Sequence, residues 1–226
     1  MVKIDLITGF LGSGKTTFLK KYAKRLMEQG QNIGILENDF GAVNVDMMLL
    51  QELEGEQCEL EMISGGCDPE THRRRFRTKL IAMGMCGYDR VLVEPSGIYD
   101  MDEFFDVLHE EPLDRWYEIG NVIAVVDARL EDALSPEAEY LLASQAANAG
   151  CMILSKCDTA TEEQRRNTIA HLKRSLTALG CKQRADQKVL CEGAEPLPDQ
   201  DFATILSCGY HIASYEKPDF AKGQSF

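Results

Sequence analysis

No part of this chain offers a long apolar run, and none approaches the roughly 18 consecutive apolar residues that a membrane-spanning helix requires. The apolar segment at residues 4–8, near the start, is too short for the core of a secretion signal. Positive charge is also scarce, since 24 Lys and Arg stand against 37 Asp and Glu, which gives a net charge of -13. We therefore expect a cytoplasmic protein that binds neither nucleic acid nor an anionic membrane, because both attract a positive field.

The eight cysteines are scattered along the chain and form no C-x-x-C pair. Together with the missing secretion signal, this spacing favours reduced thiols over a disulfide framework. Most of the cysteines are expected to act as small buried hydrophobic residues. Cys151 falls in an apolar run and Cys157 in a motif loop, and neither is predicted to be a metal ligand.

Short apolar runs alternate with segments of helical periodicity along the chain. The alternation predicts an α/β fold, in which a mostly parallel sheet is flanked by helices on both faces. Residues 1–213 are expected to form one domain, and the polar residues 214–226 a loose tail. Strands are predicted at residues 4–8, 32–37, 59–63, 90–94, 121–127, 151–155 and 188–191, and helices at residues 15–29, 68–85, 136–147 and 162–179.

Residues 9–16 read G-F-L-G-S-G-K-T and match the phosphate-loop pattern G-x-x-x-x-G-K-[ST], between a predicted strand and a predicted helix. Backbone amides of such a turn surround phosphates, and the dipole of the following helix adds to the attraction. We expect Lys15 to reach the β- and γ-phosphates and Thr16 to hold Mg²⁺. The alternative is a glycine-rich turn with an idle lysine. The predicted nucleotide-binding residues here are Gly12, Ser13, Gly14, Lys15, Thr16 and Thr17.

A second motif, S-K-C-D at residues 155–158, follows a predicted buried strand. The Asp158 carboxylate can accept hydrogen bonds from the N1 and N2 protons of guanine, a pair that adenine does not supply. Charge-assisted bonds of about 1.5–3 kcal/mol each would favour GTP over ATP at least about tenfold. Ser155 stands where GTPases usually carry Asn, and Lys156 completes the motif. The alternative is a solvated Lys–Asp turn.

Three further segments, with the two motifs above, resemble the CobW/HypB/UreG family of GTPases that serve metal centres. They are N-D-F-G-A-V-N-V-D at residues 38–46, V-E-P-S-G at residues 93–97 and V-V-D-A at residues 125–128. The resemblance covers residues 3 to about 158 and implies a Mg²⁺-dependent GTPase. It places Glu94 near the γ-phosphate and Mg²⁺, and Asp39 on a switch loop that contacts Mg²⁺ or the attacking water. Without the resemblance, Asp39 is equally a turn residue before Gly41.

The chain departs from the family where many relatives carry C-x-C-C, since residues 64–72 read S-G-G-C-D-P-E-T-H. Cys67, Glu70 and His72 are the candidate ligands for Zn²⁺ or another transition metal. Three such ligands fall short of the four that a tight zinc site requires, unless two chains share the ion. The alternative is a turn that starts a helix, with Asp68 and Glu70 favouring the helix N-terminus. The second domain usual in CobW proteins is also missing from this sequence.

A basic run at residues 72–79 would spread around a helix, which favours a solvated face. The alternative is that it pairs with the acidic stretch at residues 100–118, within one chain or between subunits. The function favoured by the whole pattern is a GTPase that assists delivery or maturation of a metal or metallocofactor in a client enzyme, with a nucleotide-dependent homodimer as one possibility. Two alternatives are a P-loop kinase of a small molecule, and an interaction module that binds nucleotide with little hydrolysis.

Overall fold

A seven-stranded sheet forms the centre of the molecule in the computed structural model, which describes residues 1–39, 45–64, 68–97, 101–131, 133–181 and 188–215. The strands are β1 (Val2–Thr8), β2 (Ile33–Asp39), β3 (Cys58–Ser64), β4 (Arg90–Pro95), β5 (Tyr117–Asp127), β6 (Cys151–Ser155) and β7 (Val189–Cys191). Their order is β3-β2-β4-β1-β5-β6-β7, and each of these neighbouring pairs is parallel. The predicted α/β fold is confirmed.

The order of the strands reverses direction at β1. From β1 the chain moves outward to β2 and β3 on one side, and it returns through β4 to place β5 on the other side of β1. Such a reversal opens a crevice at the carboxyl ends of the strands, where ligands of open α/β sheets bind. The phosphate-loop pattern directly follows β1 and therefore lies at this crevice.

Helices pack against the sheet between successive strands. They are α1 (Lys15–Glu28), α2 (Val45–Leu50), α3 (Pro69–Gly84), α4 (Met101–Leu108), α5 (Leu113–Trp116), α6 (Pro136–Asn148), α7 (Glu162–Ala178) and α8 (Asp199–Leu206). Local sequence explains several starts: the Asp68 side chain accepts a hydrogen bond from the Thr71 amide at 2.8 Å, and Thr161 and Gln164 form a capping box at α7. The four predicted helices are confirmed within one or two residues at each end.

Apolar side chains fill both faces of the sheet. In β1, Ile4 and Leu6 join one buried cluster and Ile7 joins the other, because successive side chains of a strand point to opposite faces. Burial on both faces explains why the strands appear in the sequence as short, nearly continuous apolar runs. None of the helices in the described part of the chain has the length and apolar character of a bilayer-spanning segment.

The acidic stretch at residues 100–118 contains structure that its charge did not indicate. Met101, Phe104, Val107 and Leu108 are all buried in the core on one face of α4. The acidic residues between them occupy the other face, so this stretch is an amphipathic helix. It is followed by α5, and β5 then begins at Tyr117, four residues earlier than predicted.

The predicted tail begins at residue 214, and residues 216–226 lie outside the described part of the chain. Tyr215, at the start of this tail, is held against α6. Its ring centroid lies 6.0 Å from that of Tyr140, and its hydroxyl accepts a hydrogen bond from the Asn148 amide at 3.2 Å. At least this first part of the tail is therefore docked on the domain.

Candidate nucleotide-binding site

The turn between β1 and α1 has the backbone geometry of a phosphate-binding loop. Gly9, Gly12 and Gly14 have φ values of 145°, 74° and 92°, which residues with a Cβ atom rarely adopt. A Cβ on Gly9 would lie 2.2 Å from the Val125 carbonyl oxygen of β5, so this position also needs the space that glycine leaves. The loop thus closes tightly over the sheet and presents its backbone amides at the start of α1.

Lys15 and Thr16 begin α1 and are both buried, with 6% and 8% of their surface exposed. The Lys15 ammonium donates to the carbonyl oxygen of Phe10 at 3.2 Å, so its charge lies against the loop itself. This places a cation and a helix N-terminus at one point, an arrangement suited to a phosphate group.

Glu94 faces Thr16 across the crevice. It lies near the end of β4, which neighbours β1, and the Thr16 hydroxyl donates to the Glu94 carboxylate at 2.8 Å. Glu94 is 3% exposed. A carboxylate and a hydroxyl are oxygen ligands of the kind that Mg²⁺ prefers, and the two sit beside the phosphate loop. The residues present therefore fit a magnesium ion, which Thr16 and Glu94 would hold directly or through water.

The S-K-C-D motif is fastened to the phosphate loop by its first two residues. The Ser155 hydroxyl lies 2.5 Å from the Ser13 carbonyl oxygen, to which it donates, and 3.3 Å from that of Val126. Lys156 adopts a left-handed conformation with φ 57°, and its ammonium donates to the Gly12 carbonyl oxygen at 2.7 Å. Contacts between residues more than 140 positions apart thereby join the two motifs into one unit.

Asp127, at the end of β5, completes this connection. Its carboxylate accepts hydrogen bonds from Lys156 at 2.7 Å and from the Arg129 guanidinium at 3.2 Å. Partial burial raises the pKa of Asp127, but the hydrogen bonds from Arg129 and Lys156 outweigh it and lower the pKa to about 2. Asp127 is therefore ionised at neutral pH and holds Lys156 in place.

A cleft beside the phosphate loop contains the base-recognition residues that the sequence predicts. Asp158, exposed to solvent, lies on its wall together with Ser155 and Lys156, and the phosphate-loop side contributes Gly14 and Thr17. The sequence analysis missed Lys21, Arg129 and the segment after β7, which also line it. The signal for that segment is a Gly193–Ala194 pair directly after a short strand, where small residues let a ligand approach the backbone. The remaining lining residues are Thr159 and Glu192.

The predicted transition-metal ligands are not brought together in the described residues. Glu70 is exposed in the first turn of α3, whereas His72 is 1% exposed and its Nδ1 atom lies 3.3 Å from the Glu103 carboxylate of α4. Cys67 lies outside the described residues. Asp39 ends β2, and its side chain is outside the description as well. Within the described ranges, no group of three or more His, Cys, Asp or Glu residues is arranged to hold a metal ion.

The basic run on α3 is paired within the chain. Arg73 and Arg77 both bind the Glu110 carboxylate, at 2.6 and 2.9 Å. Of the two arrangements that the sequence allows, pairing within one chain is the one observed for these arginines. Because these ion pairs are partly exposed, they contribute little to stability.

The sheet order, the phosphate loop and the Thr16–Glu94 pair define a P-loop nucleotide-binding protein of the α/β class. The nucleotide-binding domain of the CobW/HypB/UreG family matches residues 3–182. The chain belongs to this family, as its motifs predict.

Individual proteins of known sequence and structure agree with this assignment. The chain is 28% identical over 172 residues to the zinc chaperone YjiA of Escherichia coli (strain K12), which covers 73% of this chain and 52% of YjiA. It is 29% identical over 164 residues to the zinc chaperone YeiR of the same organism, covering 72% of this chain and 49% of YeiR. The chain thus spans about half the length of these curated relatives.

The fold also matches solved structures. The crystal structure of HypB from Helicobacter pylori in complex with nickel superposes with a TM-score of 0.55 at 16% sequence identity, covering 89% of this chain and 82% of HypB. At this level of identity the likeness concerns the fold.

Proposed function

We propose that this chain is a cytoplasmic, Mg²⁺-dependent GTPase that assists delivery or maturation of a metal or metallocofactor in a client enzyme. The observation that carries the nucleotide assignment is the position of Asp158. It lies on the cleft that begins at Gly14 and Thr17, so one ligand can place phosphates on the loop and a base edge at this carboxylate. A guanine nucleotide has the required donors and length.

The chain's own residues supply each step of binding. Backbone amides of residues 9–16 surround the phosphates, and Lys15 neutralises the β- and γ-phosphate charge. Thr16 and Glu94 would hold Mg²⁺, and the ion would supply positive charge to stabilise the charge that develops on the phosphate oxygens. Asp39 lies where β2 enters the segment that resembles the family switch, and there it would contact Mg²⁺ or the attacking water. Hydrolysis of the γ-phosphate would release this segment and change its affinity for a partner.

Support for the role in metal handling comes from the relatives. YjiA and YeiR are named zinc chaperones, and YjiA is also described as a GTPase. For this chain the role implies Zn²⁺ or a similar ion as cargo, a client metalloenzyme as partner, and a homodimer formed in one nucleotide state. The net charge of -13 disfavours nucleic acid and anionic membranes as partners. Residues 1–213 would act as the GTPase domain.

Calorimetry with GTP, GDP, ATP and ADP tests the nucleotide assignment. Guanine nucleotides should bind at least about tenfold more tightly than adenine nucleotides, because Asp158 accepts two hydrogen bonds from guanine. Equal affinities would instead support a small-molecule kinase. Hydrolysis measured on the same samples separates a GTPase from a module that binds nucleotide without turnover.

The variant Asp158→Asn makes this test sharper. An asparagine presents one donor and one acceptor, which match the N1 proton and C2 carbonyl of xanthine rather than the two donors of guanine. The variant should lose affinity for GDP and gain affinity for xanthosine diphosphate. Glu163→Gln, an exposed charge on α7, is the matched control and should leave both affinities unchanged. If the variant keeps its preference for guanine nucleotides, Asp158 does not recognise the base.

A further inference from the structure

Two cysteines meet at the rim of the base-recognition cleft. Cys157 belongs to the S-K-C-D motif and directly precedes Asp158, and Cys191 is the last residue of β7. The strands carrying them are neighbours, with Leu154 opposite Cys191 in the parallel register. The Cys157 amide donates to the Glu192 carbonyl oxygen at 3.0 Å, which holds the two backbones side by side.

The two thiols interact with each other. Burial, followed by the neighbouring Cys191 thiol, raises the pKa of the Cys157 thiol to about 12, so the two side chains lie close together. The Cys157 Sγ atom also lies 3.1 Å from the Leu154 carbonyl oxygen, to which it donates. Cys191 is exposed and Cys157 half-buried, so the first is open to a reagent and the second stands directly behind it. Cys151 and Cys208 also interact, but Cys151 is buried at the start of β6, at the opposite end of the strand from the cleft.

We propose that Cys157 and Cys191 form a reversible disulfide that weakens guanine-nucleotide binding. The effect on binding rests on the proposed function, whereas formation of the bond does not. A disulfide needs two sulfur atoms, both of which are present, whereas a tight zinc site needs about four ligands. In the part of the chain that the structure describes, no third His, Cys, Asp or Glu completes such a site.

The bond would form by thiol–disulfide exchange with a small disulfide such as oxidised glutathione. The exposed Cys191 thiolate attacks one sulfur of the reagent, forms a mixed disulfide and releases one small thiolate, which takes up a proton. The Cys157 thiol then loses its proton to solvent as its sulfur attacks the Cys191 sulfur, closes the Cys157–Cys191 bond and releases the second small thiolate, which is protonated in turn. Two electrons pass from the protein to the reagent, and two protons leave the cysteines.

Closure of this bond would disturb the residues that recognise the base. The Cys157 sulfur would leave the Leu154 carbonyl oxygen and turn toward β7, and it would carry the backbone next to Asp158 with it. That backbone has little freedom, because a Cβ on Gly193 would already lie 3.2 Å from the Asp158 Cβ atom. Lys21 of α1 also binds both Glu192 and the Gly193 carbonyl oxygen, which anchors the segment directly after Cys191 to α1. Asp158 is therefore the part that moves.

The test uses the full chain, oxidised with oxidised glutathione and then freed of the reagent. Peptide mapping under non-reducing conditions should find Cys157 joined to Cys191. Calorimetry should find GDP bound at least about fivefold more weakly than by the reduced protein, and dithiothreitol should restore the affinity. By linkage, saturating GDP should lower the equilibrium constant for formation of the bond by the same factor.

Variants separate this pair from the other cysteines. Cys191→Ser should bind GDP normally and lose the response to oxidation, whereas Cys86→Ser, at an exposed cysteine of the loop after α3, and Cys208→Ser should keep it. Absence of the Cys157–Cys191 peptide after oxidation would refute the bond, and an unchanged GDP affinity in the joined protein would refute its regulatory effect. If the reduced chain binds one Zn²⁺ tightly and Cys191→Ser loses this binding, the two cysteines belong to a metal site and the disulfide proposal is wrong. If the reduced protein binds no guanine nucleotide, the proposed function fails while the peptide map still decides whether the bond forms.

Discussion

Single side chains hold the S-K-C-D motif at residues 155–158 against the phosphate loop. Lys156 reaches two acceptors on different segments, the Gly12 carbonyl oxygen and the Asp127 carboxylate, both at 2.7 Å. Ser155 makes a similar connection with a shorter side chain, by donating to the Ser13 carbonyl oxygen. Serine stands here in the place that asparagine usually takes in GTPases. The Ser155 hydroxyl nevertheless connects the S-K-C-D motif to the phosphate loop through its hydrogen bond to Ser13.

Replacing Asp127 by Asn tests the charge that holds Lys156. The pKa of Asp127 is about 2 in the folded protein against an ordinary 3.8, so its ionised form contributes stability above pH 3.8 that is lost as the pH falls toward 2. Because Asp127 and its partners are partly open to solvent, which screens their charges, the shift corresponds to about 1 kcal/mol at neutral pH. Urea unfolding should show this loss in the variant at pH 7 and a shrinking difference below about pH 4. A difference that is constant with pH would show that packing, not charge, is lost.

Lys15→Ala should reduce GTP affinity by at least about 100-fold, because it removes the charge-assisted hydrogen bonds to the phosphates. The fold should remain intact, since the Lys15 ammonium contacts only the loop carbonyl of Phe10 among the described residues. Lys24→Ala on the exposed face of the same helix is the matched control. Calorimetry and circular dichroism on both variants give the answer. Normal GTP turnover in Lys15→Ala would refute the phosphate-loop assignment.

At the scale of elements, the phosphate loop is shaped by its neighbours as well as by its own glycines. A Cβ on Gly97, in the turn after β4, would lie 2.4 Å from the Leu11 amide nitrogen. The turn that follows Glu94 is thus packed directly on the loop that carries Lys15. Motifs that are far apart in the sequence hold one another in position through such close backbone approaches.

Gly9→Ala and Gly30→Ala separate backbone conformation from packing. Both glycines have positive φ, 145° and 79°, but a Cβ on Gly9 would meet the Val125 carbonyl oxygen, whereas a Cβ on Gly30 would meet nothing within 4 Å. Gly30→Ala should cost about 1 kcal/mol of unfolding free energy and leave GDP affinity unchanged. Gly9→Ala should cost more than about 3 kcal/mol, beyond the usual range for overpacking, and abolish GDP binding. Equal effects of the two variants would contradict the packing argument.

Helices α4 and α8 show where reasoning from the sequence fell short. Each has eight residues, barely two turns, so an amphipathic period is hard to recognise. The acidic residues of α4 also led this segment to be described by its charge, and no helix was predicted there. The helix is stabilised by its buried face, including Phe104 and Phe105, and this packing overrides the weak local signal.

At the scale of the whole molecule, the parallel sheet brings the predicted nucleotide-binding motifs to the carboxyl ends of its strands. Thr16 follows β1 and hydrogen bonds with Glu94 near the end of β4, whereas Ser155 closes β6 and donates to the Ser13 carbonyl oxygen of the phosphate loop. The segment with Cys67 follows β3, whose pairing with β2 places the ends of these strands at the same edge.

The metal prediction therefore concerns the assembly rather than one chain. Cys67, Glu70 and His72 supply too few soft ligands for tight Zn²⁺ binding by a monomer, and the buried position of His72 reduces the set further. Zinc affinity should rise with protein concentration and with bound GTP, as two copies of Cys67 approach, and it should fall in Cys67→Ala. Zinc titration with light scattering at several concentrations measures both effects.

Glu163→Gln on α7 serves as the control for this titration, because it removes an exposed carboxylate that is not among the candidate ligands. Tight binding of one Zn²⁺ per chain that persists in Cys67→Ala would place the ligands elsewhere. If no Zn²⁺ binds in any nucleotide state, the chain is a GTPase that does not itself bind the metal.

The sequence by itself determined the alternation of strands and helices, the phosphate loop and the S-K-C-D motif. These features are local, since covalent spacing and side-chain periodicity set them within a few residues. Tertiary structure alone decided which distant groups meet. Asp5, in the middle of the central strand, is tolerated because Arg90 donates to it at 2.5 Å and Tyr22 at 2.8 Å. Likewise, Cys157 faces Cys191 only because β6 and β7 pair in one register. No local sequence pattern contains such contacts, because they depend on which strands are neighbours in the sheet and on their register.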